Sequence, residues 1–405
     1  MTKPSTSNSP HGPRQKAPAR PTGTKRSGTK RSGHKGSGHK SSGPSASKQG
    51  CKDTARATRG PAREAQPAPA WLLRCAPGLS RLLRGELRHR KLLRADDRVD
   101  TLWQRNHDLM FLPRLAQAPA AGDLRLAEDV ARCPMYGRYK ISPAQIDRLA
   151  KSLAAQGKQW RLVVTAEGTH FNRHDVQRYL ARELHARRIA VRDDAARTAF
   201  IYLVDQAFYA AVPVHGAQDA PGRDQRQRER GGSLPPTIAA AMAFLARPEA
   251  KDTILDPVCG SGTLLAEAQA LAPGATLHGR DLDGVAVKTA TANLPDLGGG
   301  SLHAADARDI DLPDGSISLA LANLPFGKQF GDADENPALY RDVLAELRRL
   351  ATPKGWRAVF LVGAPDMLAD AAADTGLRVV RQINVRVRGE PASIVLIDSG
   401  RADHG

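Results

Sequence analysis

Four short stretches in the second half of the chain carry side chains suited to holding a nucleoside. They are Asp256-Pro257-Val258-Cys259-Gly260-Ser261-Gly262-Thr263, Asp281-Leu282-Asp283, Asp306, and Asn323-Leu324-Pro325-Phe326. A Gly-x-Gly turn lets a ligand approach the backbone without interference from Cβ atoms. A carboxylate at the end of the next strand can accept both hydroxyls of a ribose diol. A further acceptor at Asp306 could take the exocyclic amine of an adenine. The glycine spacing fits neither G-x-G-x-x-G nor G-x-x-x-x-G-K-[ST], which weakens dinucleotide and P-loop readings. Each residue alone is also a common cap or turn residue. Four of them in this order seldom arise by chance.

The elements that must position them follow from the local pattern. Thr253-Ile254-Leu255 reads as a strand, LLAEAQALA as a helix, and Thr276 to Arg280 as a second strand. A third strand lies near Leu302 to Ala305, and the apolar run Ile317 to Ala322 is a fourth, ending at Asn323. Strand and helix alternate, which predicts a parallel, doubly wound α/β sheet with all four stretches at strand carboxyl ends.

The constellation DPVCGSGT, GRDLD, AADARD and NLPFG resembles a class I S-adenosylmethionine-dependent methyltransferase of the amino-methylating kind, over roughly Ser233 to Asp398. Its Asn-Leu-Pro-Phe form is similar to the THUMP-containing tRNA guanine-2-amino methyltransferases. The resemblance implies a Rossmann-like domain behind a smaller ferredoxin-like plus THUMP-like RNA-binding module. It implies Asp281 on the ribose, Asp306 on the adenine amine, Gly260 and Gly262 along the methionine end, and Asp256 ordering that turn. Asp283 is the alternative for the ribose, although capping the helix that starts at Gly284 suits it better.

Asn323 would accept from the target amine through its side-chain carbonyl, with the Leu324 backbone carbonyl as a second acceptor. Pro325 restricts Leu324 to extended conformations and so aims that carbonyl. Phe326 offers a ring face to an extruded base. No catalytic metal is implied, and Cys51, Cys75, Cys133 and Cys259 form no C-x-x-C pair. Alternatives on the same chemistry are DNA adenine or protein glutamine methylation, and a non-enzymatic one is an inactive RNA-binding factor. DNA adenine enzymes are expected to carry a large recognition domain after the core.

Charge separates the chain into three. Of a formal net charge of +18, residues 1–70 contribute 15 basic and two acidic side chains, and residues 71–212 contribute 25 and 15. Residues 213–405 are mildly acidic, with 20 basic and 25 acidic side chains. Basic front segments point to a polyanion such as RNA, most simply tRNA. Residues 1–70 hold almost no large apolar side chains, and their TKRSG-TKRSG-HKGSG-HKSSG repeat predicts a disordered arm.

Residues 71–215 mix strands with helices such as ISPAQIDRLAKSLAAQ, which Ser142 caps and Pro143 opens, and predict an α+β module. Residues 216–232 read as a linker, and 233–400 as the catalytic domain, opened by a helix at Pro235-Pro236. No apolar run approaches the roughly 20 residues needed to span a bilayer, and no apolar signal core opens the chain, so a cytoplasmic location is expected.

Overall fold

The computed structural model describes residues 70–103, 107–115, 117–120, 122–216, 219, 220, 223, 234–325 and 336–399. Residues 1–69, read above as a disordered arm, lie outside the described residues, and so does Phe326.

The first sheet has eight strands in the order β2-β3-β1-β4-β8-β7-β5-β6. They are β1 (Trp71–Cys75), β2 (Asp100–Trp103), β3 (Asp108–Leu112), β4 (Asp129–Arg138), β5 (Gln159–Glu167), β6 (Ala190–Val191), β7 (Thr198–Val204) and β8 (Ala207–Gly216). Three helices join them: α1 (Ser80–His89), α2 (Pro143–Ala154) and α3 (Arg173–His185). Period-two alternation divides the strands between two cores. Trp71, Leu73 and Cys75 of β1 pack in one cluster with Leu82, Leu83 and Leu87 of α1, while Leu72 joins Phe111, Tyr202 and Tyr209 on the other face. Helix α2 starts as its sequence dictates. Ser142 and Gln145 form a capping box ahead of Pro143, satisfying donors that a helix N-terminus otherwise leaves open.

The second sheet has seven strands in the order β11-β10-β9-β12-β13-β15-β14. These are β9 (Thr253–Asp256), β10 (Thr276–Asp281), β11 (Ser301–Ala304), β12 (Leu319–Asn323), β13 (Arg357–Val362), β14 (Arg378–Val387) and β15 (Glu390–Asp398). With them run α4 (Pro236–Ala246), α5 (Thr263–Leu271), α6 (Gly284–Asn293), α7 (Asn336–Leu350) and α8 (Pro365–Asp374). The expectation of a parallel sheet needs one correction. Strands β9 to β13 are parallel, but β15 runs antiparallel to β13 and forms a hairpin with β14, so the sheet is mixed. The physical reason is the short turn at Arg388-Gly389, with φ of +53° and +89°, which returns the chain too soon for a crossover helix.

The two sheets share a core. Leu82, Leu83 and Leu87 of α1 sit in one apolar cluster with α4 and with Ile254, Leu277, Leu321 and Ile394 of the second sheet. A buried ion cluster crosses the same junction. The Glu267 carboxylate on α5 accepts from Arg125 Nε at 2.7 Å and from Arg223 Nε at 2.9 Å, and Glu267 has no exposed surface. Arg223 Nη2 also donates to the carbonyls of Arg125 and Pro236. Glu86 of α1 accepts the backbone N–H groups of Arg125 and Leu126. Burial pushes the Glu86 carboxyl up to about 7, against the pull of those two N–H groups. The stretch read as a linker therefore begins inside β8, at Gly216, and holds a buried arginine at its middle.

Candidate active site at the carboxyl edge of the second sheet

The turn after β9 is built by two glycines with different tasks. Gly260 and Gly262 both adopt left-handed backbone, with φ of +53° and +81°. A Cβ on Gly262 would lie 2.7 Å from Leu294 Cδ1, so that glycine allows α5 and α6 to pack. A Cβ on Gly260 would meet nothing within 4 Å, so its missing side chain leaves open space at the strand tip. Only Gly260 has the surroundings expected of a ligand-facing glycine. Asp256, 1% exposed, closes the turn from beneath by accepting the Val258 N–H at 3.1 Å. Burial holds its carboxyl well above the ordinary range, with the nearby Asp281 charge pushing the same way.

At the tip of β10, Asp281 accepts the Gly260 N–H through Oδ2 at 2.8 Å and the Asp283 N–H through Oδ1 at 2.9 Å. A carboxylate offers about four lone-pair sites, so these two bonds fix its plane and leave capacity on both oxygens. Asp283 caps α6, accepting the Val285 N–H at 2.8 Å, as its position before Gly284 suggests. Beside them stand two apolar side chains that no local pattern singles out. Leu282 is 75% exposed and Val285 60% exposed, a costly display of apolar surface next to a polar turn.

Asp306 follows β11 and is held by a neighbour. Its carboxylate takes the Arg308 guanidinium, with Nη2 at 2.6 Å and Nε at 3.0 Å, and the Arg308 backbone N–H at 2.9 Å. Hydrogen bonds from Arg308 hold this carboxyl below its usual range. Its lone pairs are more heavily committed than those of Asp281.

Strand β12 ends at Asn323, whose Oδ1 is buried and has no hydrogen-bond partner. Five described side-chain polar atoms share that condition, and only this one belongs to the second sheet. A buried acceptor left unpaired costs roughly 1–3 kcal/mol, so its persistence calls for an explanation. The next residues are fixed from two sides. The Leu324 N–H donates to the Leu361 carbonyl at 3.1 Å, and Tyr340 Oη on α7 donates to the Pro325 carbonyl at 2.9 Å. Tyr340 is fully buried, and burial pushes its hydroxyl up to about 12, so it stays a donor. Nothing local in the sequence marks this tyrosine, because its partner lies 15 residues back.

Register brings these tips together. Gly279 of β10 pairs with Asp256 of β9, and Ala320 of β12 pairs with Leu255. Asp281 and Asn323 therefore flank the tip of β9 on opposite sides, each two residues past the row of Asp256. Strand spacing puts them about 10 Å apart across the sheet, with Gly260 above the strand between them. Asp256, Gly260, Asp281 and Asn323 thus stand at the carboxyl tips of three neighbouring strands, or in the turn just past them. Gly262 faces the packing between helices, and Asp306 lies one strand further out, turned to Arg308. Among the described residues, no group of three or more His, Cys, Asp or Glu is placed to hold a metal, and no helix is long and apolar enough to cross a membrane.

Residues 223–392 match the family UPF0020, the RMKL-like methyltransferase domain. A bovine protein named tRNA (guanine(6)-N(2))-methyltransferase THUMP3 is 28% identical over 181 residues, which are 41% of this chain and 36% of that protein. A tRNA (guanine(6)-N2)-methyltransferase of Thermus thermophilus is 31% identical over 219 residues, covering 52% of this chain and 64% of its own length. The chain thus spans about a third of the bovine relative. Among solved structures, TrmN from Thermus thermophilus superposes with a TM-score of 0.67 at 24% identity, over 81% of this chain and 99% of that one. SMU.472, solved in complex with SAH, superposes with a TM-score of 0.59 at 15% identity, over 84% and 100% of the two chains. The fold is that of the class I methyltransferases, as the four motifs suggested.

Proposed function

We propose that this chain, whose residues 223–392 match the RMKL-like methyltransferase domain, transfers a methyl group from S-adenosylmethionine to the 2-amino group of a guanine in RNA, with tRNA as the substrate. The observation that carries the reading is the unpaired, buried carbonyl of Asn323, set beside the open turn at Gly260. An acceptor kept dry and vacant at that position suits an incoming N–H donor. A guanine 2-amino group is one.

The residues fit the cofactor. Asp281 has lone pairs left for a ribose diol, and exposed Leu282 offers an apolar surface to an adenine face. Gly260 leaves room for the methionine portion. When bound, S-adenosylmethionine supplies an activated methyl group. The chain supplies position. Asn323 Oδ1 and the Leu324 carbonyl accept from the two N–H groups of the amine and turn its lone pair towards the methyl. The amine held in this way would take the cofactor's methyl, and the proton it gives up would pass to solvent. Orientation of this kind contributes up to about 7–11 kcal/mol in well-aligned model reactions. Tyr340 and the Leu324–Leu361 bond hold the Asn-Leu-Pro backbone while this happens. Phe326 would stack on the extruded base.

The front half supports an RNA substrate, and we read it as the ferredoxin-like plus THUMP-like module. Arg88, Arg90, Lys91 and Arg94, at and just past the end of α1, are all exposed. Such a surface attracts phosphate irrespective of sequence. The test is mass spectrometry of nucleosides from tRNA lacking the modification, incubated with the protein and labelled S-adenosylmethionine. Label in N2-methylguanosine is the expected result. Label in another nucleoside, or none, would sink the substrate assignment.

A further inference from the structure

A cleft of about 520 Å³ opens along the same sheet edge. Its walls come from both halves of the chain. The Pro77-Gly78 turn forms one, the Gly363-to-Asp366 turn ahead of α8 a second, and the β14–β15 hairpin a third. Its position relative to Asn323 follows from register. Asn323 pairs with Leu361, the next residue Val362 pairs with Ser393, and Ser393 pairs with Asn384. Ser393 therefore lies two strands, about 10 Å, from the strand carrying Asn323, and Asn384 about 14 Å.

The lining is mixed: an amide–hydroxyl group lies among prolines, Val385 and Ala392, and Asp366 and Arg386 are its charged side chains. Gln382 Nε2 donates to Asn384 Oδ1 at 3.2 Å and to Ser393 Oγ at 3.3 Å, and Ser393 Oγ donates to Asn384 Oδ1 at 3.0 Å. The two amides are exposed, and these bonds are made chiefly among themselves, so they can be exchanged for a ligand's donors and acceptors. Arg386 stands exposed at the rim. Amides read base edges, and a rim guanidinium meets phosphate. The volume falls within the range of small-ligand sites.

We infer that this cleft receives a nucleotide adjacent to the target guanine, so that Gln382, Asn384 and Ser393 read the neighbour while Asn323 holds the base to be methylated. Enzymes that act on an extruded base commonly take part of their selectivity from flanking nucleotides. The inference rests on the RNA methyltransferase reading above.

The test uses the full chain and two measurements. In the first, Gln382→Ala/Asn384→Ala, both exposed positions, is compared with wild type in methylation of unmodified tRNA. A rise of about tenfold in KM for RNA is expected, with kcat and S-adenosylmethionine binding within twofold. In the second, a tRNA carrying a photoreactive thionucleoside beside the methylated guanine is crosslinked to the protein. The adduct is expected on the peptide spanning 378–393. An unchanged KM, or a crosslink mapping outside the cleft walls, overturns the inference. Crosslinking to that peptide without any methyl transfer by wild type would instead overturn the activity reading and leave the cleft standing.

Discussion

Two buried polar arrangements in this molecule sit within one chain and are finished in opposite ways. At the junction of the sheets, Glu267 has both oxygens engaged by Arg125 and Arg223, and Glu86 takes two backbone N–H groups. At the carboxyl edge of the second sheet, half-buried Asn323 also has a dry side-chain oxygen, yet that carbonyl has nothing to accept. The first arrangement is complete within the protein, and removing any member strands another. On the function proposed above, the second is completed by the amine of the substrate. Asn323 is one of five such unpaired atoms among the described residues, and it is the one set at the carboxyl edge of the second sheet, where that function puts a ligand.

This contrast can be broken by mutation, most forcefully at the junction. Glu267→Ala strands two buried guanidinium groups and should cost about 3–5 kcal/mol in denaturant unfolding. A loss below about 1 kcal/mol would show that water replaces the carboxylate and that the junction is not dry. Asn323→Ala should do the reverse. Turnover is expected to fall by about 10²–10³, the scale for deleting one preorganised hydrogen-bonding group. Stability should hold or rise, by up to about 1–3 kcal/mol, because no side-chain oxygen bond is lost and an unpaired buried acceptor is removed, and cofactor affinity should remain within a few-fold. A collapse of cofactor binding, measured by titration calorimetry, would move that residue to the donor side of the site.

Glu86 sharpens the comparison through pH. Its folded pKa of about 7 lies above its ordinary 4.5, so the native state holds this proton more tightly than the unfolded state. Its contribution to stability is fully present below about 4.5 and is lost as pH rises towards 7, by up to about 3 kcal/mol. Glu86→Gln should flatten that part of the stability profile, and a profile that keeps its slope would assign the titration elsewhere. The smallest effect belongs to Tyr340→Phe. Loss of the hydroxyl that holds the Pro325 carbonyl should cost about 1 kcal/mol and lower kcat more than it raises KM. Equal stability and unchanged kcat would reduce that bond to a packing accident.

The strand tips that carry the candidate residues were legible because each is local. Asp256, Gly260, Asp281 and Asn323 are announced by a strand, a turn residue and the helix that follows. The Asp283 cap and the Ser142 capping box were readable for the same reason. What escaped depends on contacts distant in sequence. Arg223 lies in a stretch whose composition says linker, and its burial is decided by Glu267, 44 residues on. Gly262 looks like its neighbour until Leu294 is seen packed where its side chain would be. Strand β2 is short, and β4 is interrupted by register shifts that break its alternation, so neither announces itself by period. The antiparallel hairpin at the sheet edge escaped because an apolar strand does not state its direction.

Helix α4 buries nine of its eleven residues, and Phe244 meets Gly85 of α1 at 3.3 Å from where a Cβ would stand. A cylinder with so little wettable side cannot be left bare. Expressed from about residue 234 onwards, the half that carries the second sheet would uncover the side of this helix that meets α1, whereas the longer chain should melt in a single calorimetric endotherm. Shuffling either half onto a foreign neighbour would have to carry that side's covering along with it.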